Sequence, residues 1–186
     1  MSDTVVDETV RTALRRVCLI STASGCGKST TGRALAARMN VPYYELDALH
    51  HGPNWEARSA DELYASVEPI VRGECWVIDG TYRGKLGNLV PEAADLVVWL
   101  DLPLRIWLSR LVRRTAGRVV RKEELWNGNR ERWRDVLHPT NSVVVYALRN
   151  YRRTRRTLPA ELAPFRVARL RSPAEVDTFL ESFPAC

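Results

Sequence analysis

"TASGCGKST", residues 22–30, decides how the chain is read. Its second half, Gly27-Lys28-Ser29-Thr30, has the form of the end of a phosphate-binding loop. Its first half departs from the G-x-x-x-x-G-K-[ST] pattern, which wants glycine where Thr22 stands. The stretch lies between the apolar run Val17-Cys18-Leu19-Ile20 and a helical pattern from Thr30 to Met39, with Leu35 and Met39 four apart. Strand, glycine loop, helix is the order the chemistry needs. Backbone N–H groups at a helix start point at phosphates, and the helix dipole favours negative charge there. Gly25 and Gly27 let the backbone approach a ligand without Cβ clashes. Lys28 is placed to reach the outer phosphates and the Ser29 hydroxyl to meet Mg²⁺. Ser24, Cys26 and Thr30 complete the expected phosphate-binding set. Thr22 costs some freedom at the start of the loop and leaves those groups intact.

Two carboxylates stand where the ends of further strands are expected. Asp79, in "WVIDGTYR", closes the apolar run Cys75 to Ile78 and suits the hydration shell of Mg²⁺; a turn before Gly80 is the competing role. Asp47, in "YYELDALHH", is read as ending the strand Tyr43 to Leu46, where it would orient or deprotonate an acceptor hydroxyl; an N-cap for the following helical turn is the competing role. Ligands of parallel sheets gather at the carboxyl ends of the strands. His50 and His51 follow with no third or fourth metal ligand in view, so they are expected on the wall or rim of the acceptor pocket. Trp55 is a candidate wall of the same pocket.

The remaining periodicity alternates helices and strands. Asp61 to Arg72 is amphipathic, "LVVWL" at 96–100 is a continuous apolar run suited to a strand buried on both faces, and Arg105 to Arg114 is a helix with a basic face. Phe165 to Leu170 and Pro173 to Phe183 read as a last strand and closing helix. This alternation implies a parallel sheet covered on both sides.

The 186 residues suit one domain, and no apolar run approaches a membrane span. The opening "MSDTVVDETVRTALRR" has no apolar block, which points to a cytoplasmic protein. The net charge of +6 is concentrated: residues 101–156 carry 15 basic against 5 acidic side chains, whereas residues 1–100 carry 10 against 13. The run "LRNYRRTRRTL", 148–158, is read as a solvated helix or lid support, with nucleic acid the weaker partner. Trp126 and Trp133 pack the lid on itself or stack a base. The four cysteines show no C-x-x-C or zinc spacing. Cys26 is read as an inert loop filler; the competing reading, from its place beside Lys28 at a helix start, is a lowered pKa, reaction with thiol reagents and protection by nucleotide.

Taken together, "SGCGKST", "LDAL", "IDGTYRG", "VVWLDLP" and "RLVRR" resemble the adenylate-kinase-related P-loop kinases. The likeness runs over residues 17–135 and more loosely to the end. It is nearest to the bacterial topology modulation, or FlaR-like, proteins, which "ELWNGNRE" also resembles. The resemblance implies a three-layer α/β P-loop NTPase fold with a mostly parallel five-stranded sheet. It implies one domain over 1–186, with a basic helical lid at 115–160, and phosphoryl transfer from ATP with Mg²⁺. It assigns Arg83 to the acceptor, Arg110 and Arg114 to a shared helix face opening the lid, and Arg130 to a lid arginine at the transferred group. The T-G-x-x-[LM]-R segment of adenylate kinases is missing, which removes support for AMP. An Asp ending the second strand instead resembles small-molecule hydroxyl kinases such as shikimate kinase and chloramphenicol phosphotransferase. Three functions follow from these readings: a kinase acting on a nucleotide or other small acceptor, as monomer or homodimer; a nucleotide-binding regulatory protein without transfer; or a polynucleotide 5′-hydroxyl kinase.

Overall fold

The computed structural model describes residues 14–129 and 143–183. Arg130 and Trp133, expected in the lid, lie outside the described residues.

Five strands form one sheet: β1 (Arg16–Ser21), β2 (Tyr43–Glu45), β3 (Trp76–Asp79), β4 (Leu96–Leu100) and β5 (Val167–Leu170), in the spatial order β2-β3-β1-β4-β5. Every pairing is parallel. The chain reverses direction of growth at β1, so the crevice at the switch point opens above its carboxyl end. That is where the glycine loop emerges.

The helices are α1 (Lys28–Met39), α2 (Leu46–His50), α3 (Ala60–Val71), α4 (Arg83–Leu86), α5 (Leu89–Ala93), α6 (Leu104–Arg121), α7 (Val143–Leu162) and α8 (Pro173–Glu181). Two single 3₁₀ turns occupy Pro53–Trp55 and Trp126–Gly128. Strand residues alternate between two cores, as a period of two requires. Val17 and Leu19 of β1 and Leu96, Val98 and Leu100 of β4 face the core shared with α1, α6 and α8. Cys18, Ile20, Val97 and Trp99 face the core shared with α3 and α5. Helix α3 starts at a capping box in which Ser59 and Glu62 satisfy each other's backbone N–H groups.

Helix α7 contributes to both cores. Ala147 and Tyr151 belong to the first, Leu158 and Leu162 to the second. At 20 residues it is roughly 30 Å long, enough to pass across the end of the sheet from one face to the other. The basic run 148–158 is therefore a bridging helix, with its arginines standing between two buried apolar ends. Among the described residues, no helix is long and apolar enough to cross a membrane.

Candidate active site

The glycine loop connects β1 to α1. Gly25 and Gly27 have φ of 89° and 91°, the left-handed region that L side chains rarely adopt. Gly27 caps α1. Gly25 has a second constraint: a Cβ there would lie 2.5 Å from the Trp107 carbonyl oxygen of α6. Thr22, where the motif wants glycine, is not among the positive-φ residues. It is buried, and its backbone N–H donates to the Leu100 carbonyl at 3.1 Å. Its hydroxyl donates to Asp101 Oδ1 at 2.8 Å and accepts from Trp99 Nε1 at 2.9 Å. The residue thus anchors the loop to β4.

For Cys26 the structure favours the loop-filler reading over the reactive thiol. Its side chain is 2% exposed within the first core. Burial raises its pKa, outweighing the bonds at the Ala23 and Leu102 backbone and the charge of Lys28. The helix N-terminus and neighbouring lysine were read from sequence without the core that covers the sulfur.

Lys28 Nζ lies 3.1 Å from Asp79 Oδ1. Burial works against its ammonium, but the Asp79 and Asp47 carboxylates outweigh it and hold the pKa above the ordinary lysine value. The Ser29 hydroxyl stands 2.9 Å from Asp79 Oδ2 and 2.8 Å from Glu45 Oε1, and donates to one at a time. Tyr43 donates to the same Asp79 oxygen at 3.1 Å. Gly32 makes room for that phenol, since a Cβ there would sit 2.6 Å from the Tyr43 ring. Asp79 ends β3 as expected and is 3% exposed. Its buried Oδ1 has the lysine charge beside it but no hydrogen bond. Hydroxyl and carboxylate oxygens converging here suit a hard cation such as Mg²⁺. Among the described residues no cluster of three or more His, Cys, Asp or Glu forms a cage by itself. Glu45 and Tyr43 were missed in the sequence; the E-x-D spacing at the end of β2 was the available signal for Glu45.

Asp47 does not end the second strand. Glu45 does, and Asp47 is the second residue of α2. The chain turns helical at Leu46, whose side chain is fully buried, and this swings Asp47 towards β3's exit. There the Tyr82 phenol donates to Asp47 Oδ1 at 2.6 Å. His50 is buried with its ring 4.5 Å from that of Tyr82. Burial lowers the His50 pKa, and Lys85 and His51 push the same way, so its neutral form is favoured.

One cavity of about 1480 Å³ joins these groups, lined by Ser24 and Lys28 on one side and Asp47, His50, His51 and Trp55 on another. It exceeds the roughly 300–1,000 Å³ of a single-ligand pocket. Arg83 lines it too, held by Glu161 Oε2 at 2.5 Å and Asn88 Oδ1 at 2.8 Å. Arg114 lines the cavity with Arg118 one turn on, which the sequence reading omitted. Arg110 stands by the loop, its guanidinium 3.7 Å from where a Gly27 Cβ would be. Thr30, in the first turn of α1, is exposed. Helix α7 adds Arg153 and Thr157, so part of the basic run faces the cavity.

The 126–129 turn, "WNGN", packs against the 51–55 segment. Asn129, 4% exposed, donates to the Gly52 carbonyl and accepts from the Trp55 N–H, both at 2.8 Å. Trp126 stacks on His51 with ring centroids 6.0 Å apart and meets Trp55 edge-on at 6.3 Å. Where base stacking or packing of the lid on itself was expected, Trp126 meets the 51–55 segment.

No family model matches the chain. A shikimate kinase of Corynebacterium efficiens is 31% identical over 177 residues, covering 87% of this chain and 92% of that protein. Among solved structures, the Acinetobacter baumannii shikimate kinase in complex with shikimate aligns with a TM-score of 0.57 at 15% identity, covering 94% of each chain. The Bacteroides thetaiotaomicron shikimate kinase aligns with a TM-score of 0.52 at 13% identity, covering 90% of this chain and 95% of that one. At those identities the two structures speak for the fold, and the Corynebacterium relative speaks for the family. The chain belongs to the shikimate-kinase-like P-loop kinases, within the wider adenylate-kinase-like group, and is a phosphotransferase.

Proposed function

We propose that the protein transfers the γ-phosphoryl group of ATP to a hydroxyl of a small hydroxylated carboxylic acid. One observation carries this reading: Asp47 and Lys28 line the same cavity, with Arg83 and Arg153 on its walls. A hydroxyl needs a carboxylate acceptor for its proton, and an organic acid needs arginine for its charge. The family relative supports the same class. A nucleotide acceptor, part of the sequence expectation, has no comparable support. The "IDGTYRG" and "ELWNGNRE" segments still favour the topology-modulation branch within the family.

In this mechanism the amides from Gly25 to Ser29 cradle the phosphates at the start of α1. Lys28 exchanges Asp79 for the outer phosphates. Ser29, Asp79 and Glu45 would hold Mg²⁺, which neutralises phosphate charge when bound. Asp47 receives the acceptor hydroxyl hydrogen bond. The acceptor oxygen bonds to the γ-phosphorus, the bridging P–O bond breaks, ADP departs, and the hydroxyl proton passes to Asp47 or a phosphoryl oxygen. Arg110 and Arg114 stabilise the charge on the transferring group, with Arg130 in the same role. A lid within residues 115–160 would exclude water, with α7 as its fixed support because Ala147, Tyr151 and Leu158 are buried in the cores.

The test is transfer from γ-labelled ATP with Mg²⁺ to shikimate, gluconate, AMP, CMP and a 5′-hydroxyl oligonucleotide, with Lys28→Ala as control. Transfer to one of the acids, reduced over ~100-fold in the control, is expected. Labelling of AMP, CMP or the oligonucleotide alone would overturn the acceptor class. Nucleotide binding without transfer to any would favour a regulatory protein.

A further inference from the structure

Thr22 belongs to a closed circuit at the carboxyl end of the sheet. Its hydroxyl donates to Asp101 and accepts from Trp99. Asp101, 1% exposed, receives Arg169 through Nε at 3.1 Å and a terminal nitrogen at 2.5 Å, both on Oδ2. The Arg169 guanidinium lies 4.0 Å over the Trp99 ring, which returns to Thr22. Trp99 and Arg169 are register partners on β4 and β5. A fifth member comes from α7: Arg155 Nε lies 3.3 Å from Asp101 Oδ1, the oxygen that Thr22 holds.

A parallel route joins the same two elements. Arg155 donates to the Tyr151 hydroxyl at 3.2 Å, and the Tyr151 ring is 5.4 Å from that of Trp107. The Trp107 carbonyl is the group that leaves Gly25 no room for a side chain. Helix α7 thus reaches the start of the loop through Asp101 and its middle through Trp107.

The geometry points to Thr22 and Asp101 as positioning residues for nucleotide binding: they hold the glycine loop in its phosphate-receiving shape and tie that shape to α7 through Arg155. Glycine at position 22 is unnecessary, because the backbone there is not left-handed. It would also be harmful. It would free the start of the loop, leave the buried Trp99 N–H without its acceptor, and remove one hydrogen bond from a buried carboxylate. The inference rests on the loop binding nucleotide, as proposed above. It needs no acceptor, so its failure is separable from failure of the acceptor assignment.

The experiment is the dissociation constant of a fluorescent ADP analogue with Mg²⁺, measured with thermal melting for Thr22→Gly, Thr22→Val, Thr22→Ser, Arg155→Leu and Arg155→Lys. Restoring the motif glycine is expected to weaken binding about tenfold, and Thr22→Val to do the same, while Thr22→Ser binds like the wild type. Arg155→Leu should weaken binding roughly threefold in the wild type and add nothing on Thr22→Val, since a cycle through one network is not additive. Wild-type affinity in Thr22→Gly or Thr22→Val, with or without a lower melting temperature, would reduce the circuit to a fold support. Thr22→Ser as weak as Thr22→Val would overturn the role of the hydroxyl. Wild-type affinity in Arg155→Leu would remove α7 from it. If the glycine variant does not fold, the serine–valine pair and the exposed Arg155 pair decide.

Discussion

The Tyr82 phenol donates a 2.6 Å hydrogen bond to one oxygen of Asp47, leaving the other oxygen to a ligand. Tyr82 does this from an uncommon backbone position, φ 44° and ψ 43°, at the start of α4. A bulky residue persists there only when its surroundings over-determine it. Burial, and then the Asp47 charge, raise the phenol's pKa, so it remains a donor. Asp47→Asn should lower kcat by ~10²–10⁴ if the carboxylate acts on the proton. Tyr82→Phe should lower it about tenfold, as expected for a hydrogen bond to a charged group. Nucleotide affinity should be unchanged in both, and equal losses of affinity and kcat would refute the assignment.

Gly25→Ala should be far more damaging than Thr22→Ser. The new Cβ meets a backbone oxygen at 2.5 Å and the Leu111 Cβ at 2.9 Å. The positive φ adds strain of ~1 kcal/mol or more. Calorimetry should show a melting temperature several degrees lower, and the fluorescent nucleotide should no longer bind. A stable variant with normal affinity would mean that α6 yields to the loop.

Cys26 should resist thiol reagents at neutral pH whether or not nucleotide is present. Its sulfur is buried and its pKa raised, and the thiolate is the reacting species. Among the described cysteines Cys75 is the one not fully buried, so labelling followed by peptide mapping should find Cys75 before Cys26 or Cys18. Fast labelling of Cys26 that nucleotide slows would restore the reactive-thiol reading.

Acid should weaken the fold partly through Asp95. Burial works against its carboxylate, but the N–H groups of Arg15 and Arg16 and the Arg16 guanidinium outweigh it and hold the pKa below the usual value. The N–H bonds measure 3.0 and 2.8 Å, and the guanidinium lies 3.2 Å away. A depressed carboxylate stabilises the fold above its unfolded pKa, ~3.9, and that contribution is lost as pH falls through the folded value. Asp95→Asn should therefore be destabilised by about 1 kcal/mol at pH 7. The gap to the wild type should close on acidification below about pH 4. A gap independent of pH in denaturant titrations would show that charge is not its source.

The strands and the donor side of the site could be read from local pattern. β4 was legible as "LVVWL" because a strand buried on both faces is a continuous apolar run. Lys28 and Ser29 were legible because strand, glycine loop and helix place them by chain order alone. Helix α2 entered only as a turn that Asp47 could cap, because five residues carry too little period to distinguish a helix from the end of a strand, so Asp47 was put at a strand end that Glu45 occupies. Tyr82 and Asn129 lay in segments quoted for the resemblance, but nothing local gave them or Glu161 their contacts. Their partners lie 35, 74 and 78 residues away in the chain.

By itself the sequence determined the parallel α/β architecture and the phosphate loop, because hydrophobic period, glycine placement and helix polarity act over a few neighbouring residues. Tertiary structure alone decided what Thr22 bonds to, how deeply Cys26 is buried, and which side chains line the cavity. Each of those depends on burial and on hydrogen bonds between segments that meet only when β4, α6 and α7 close over the loop. A hydroxyl that looks like a defect in the motif becomes an anchor once Asp101 and Trp99 stand beside it.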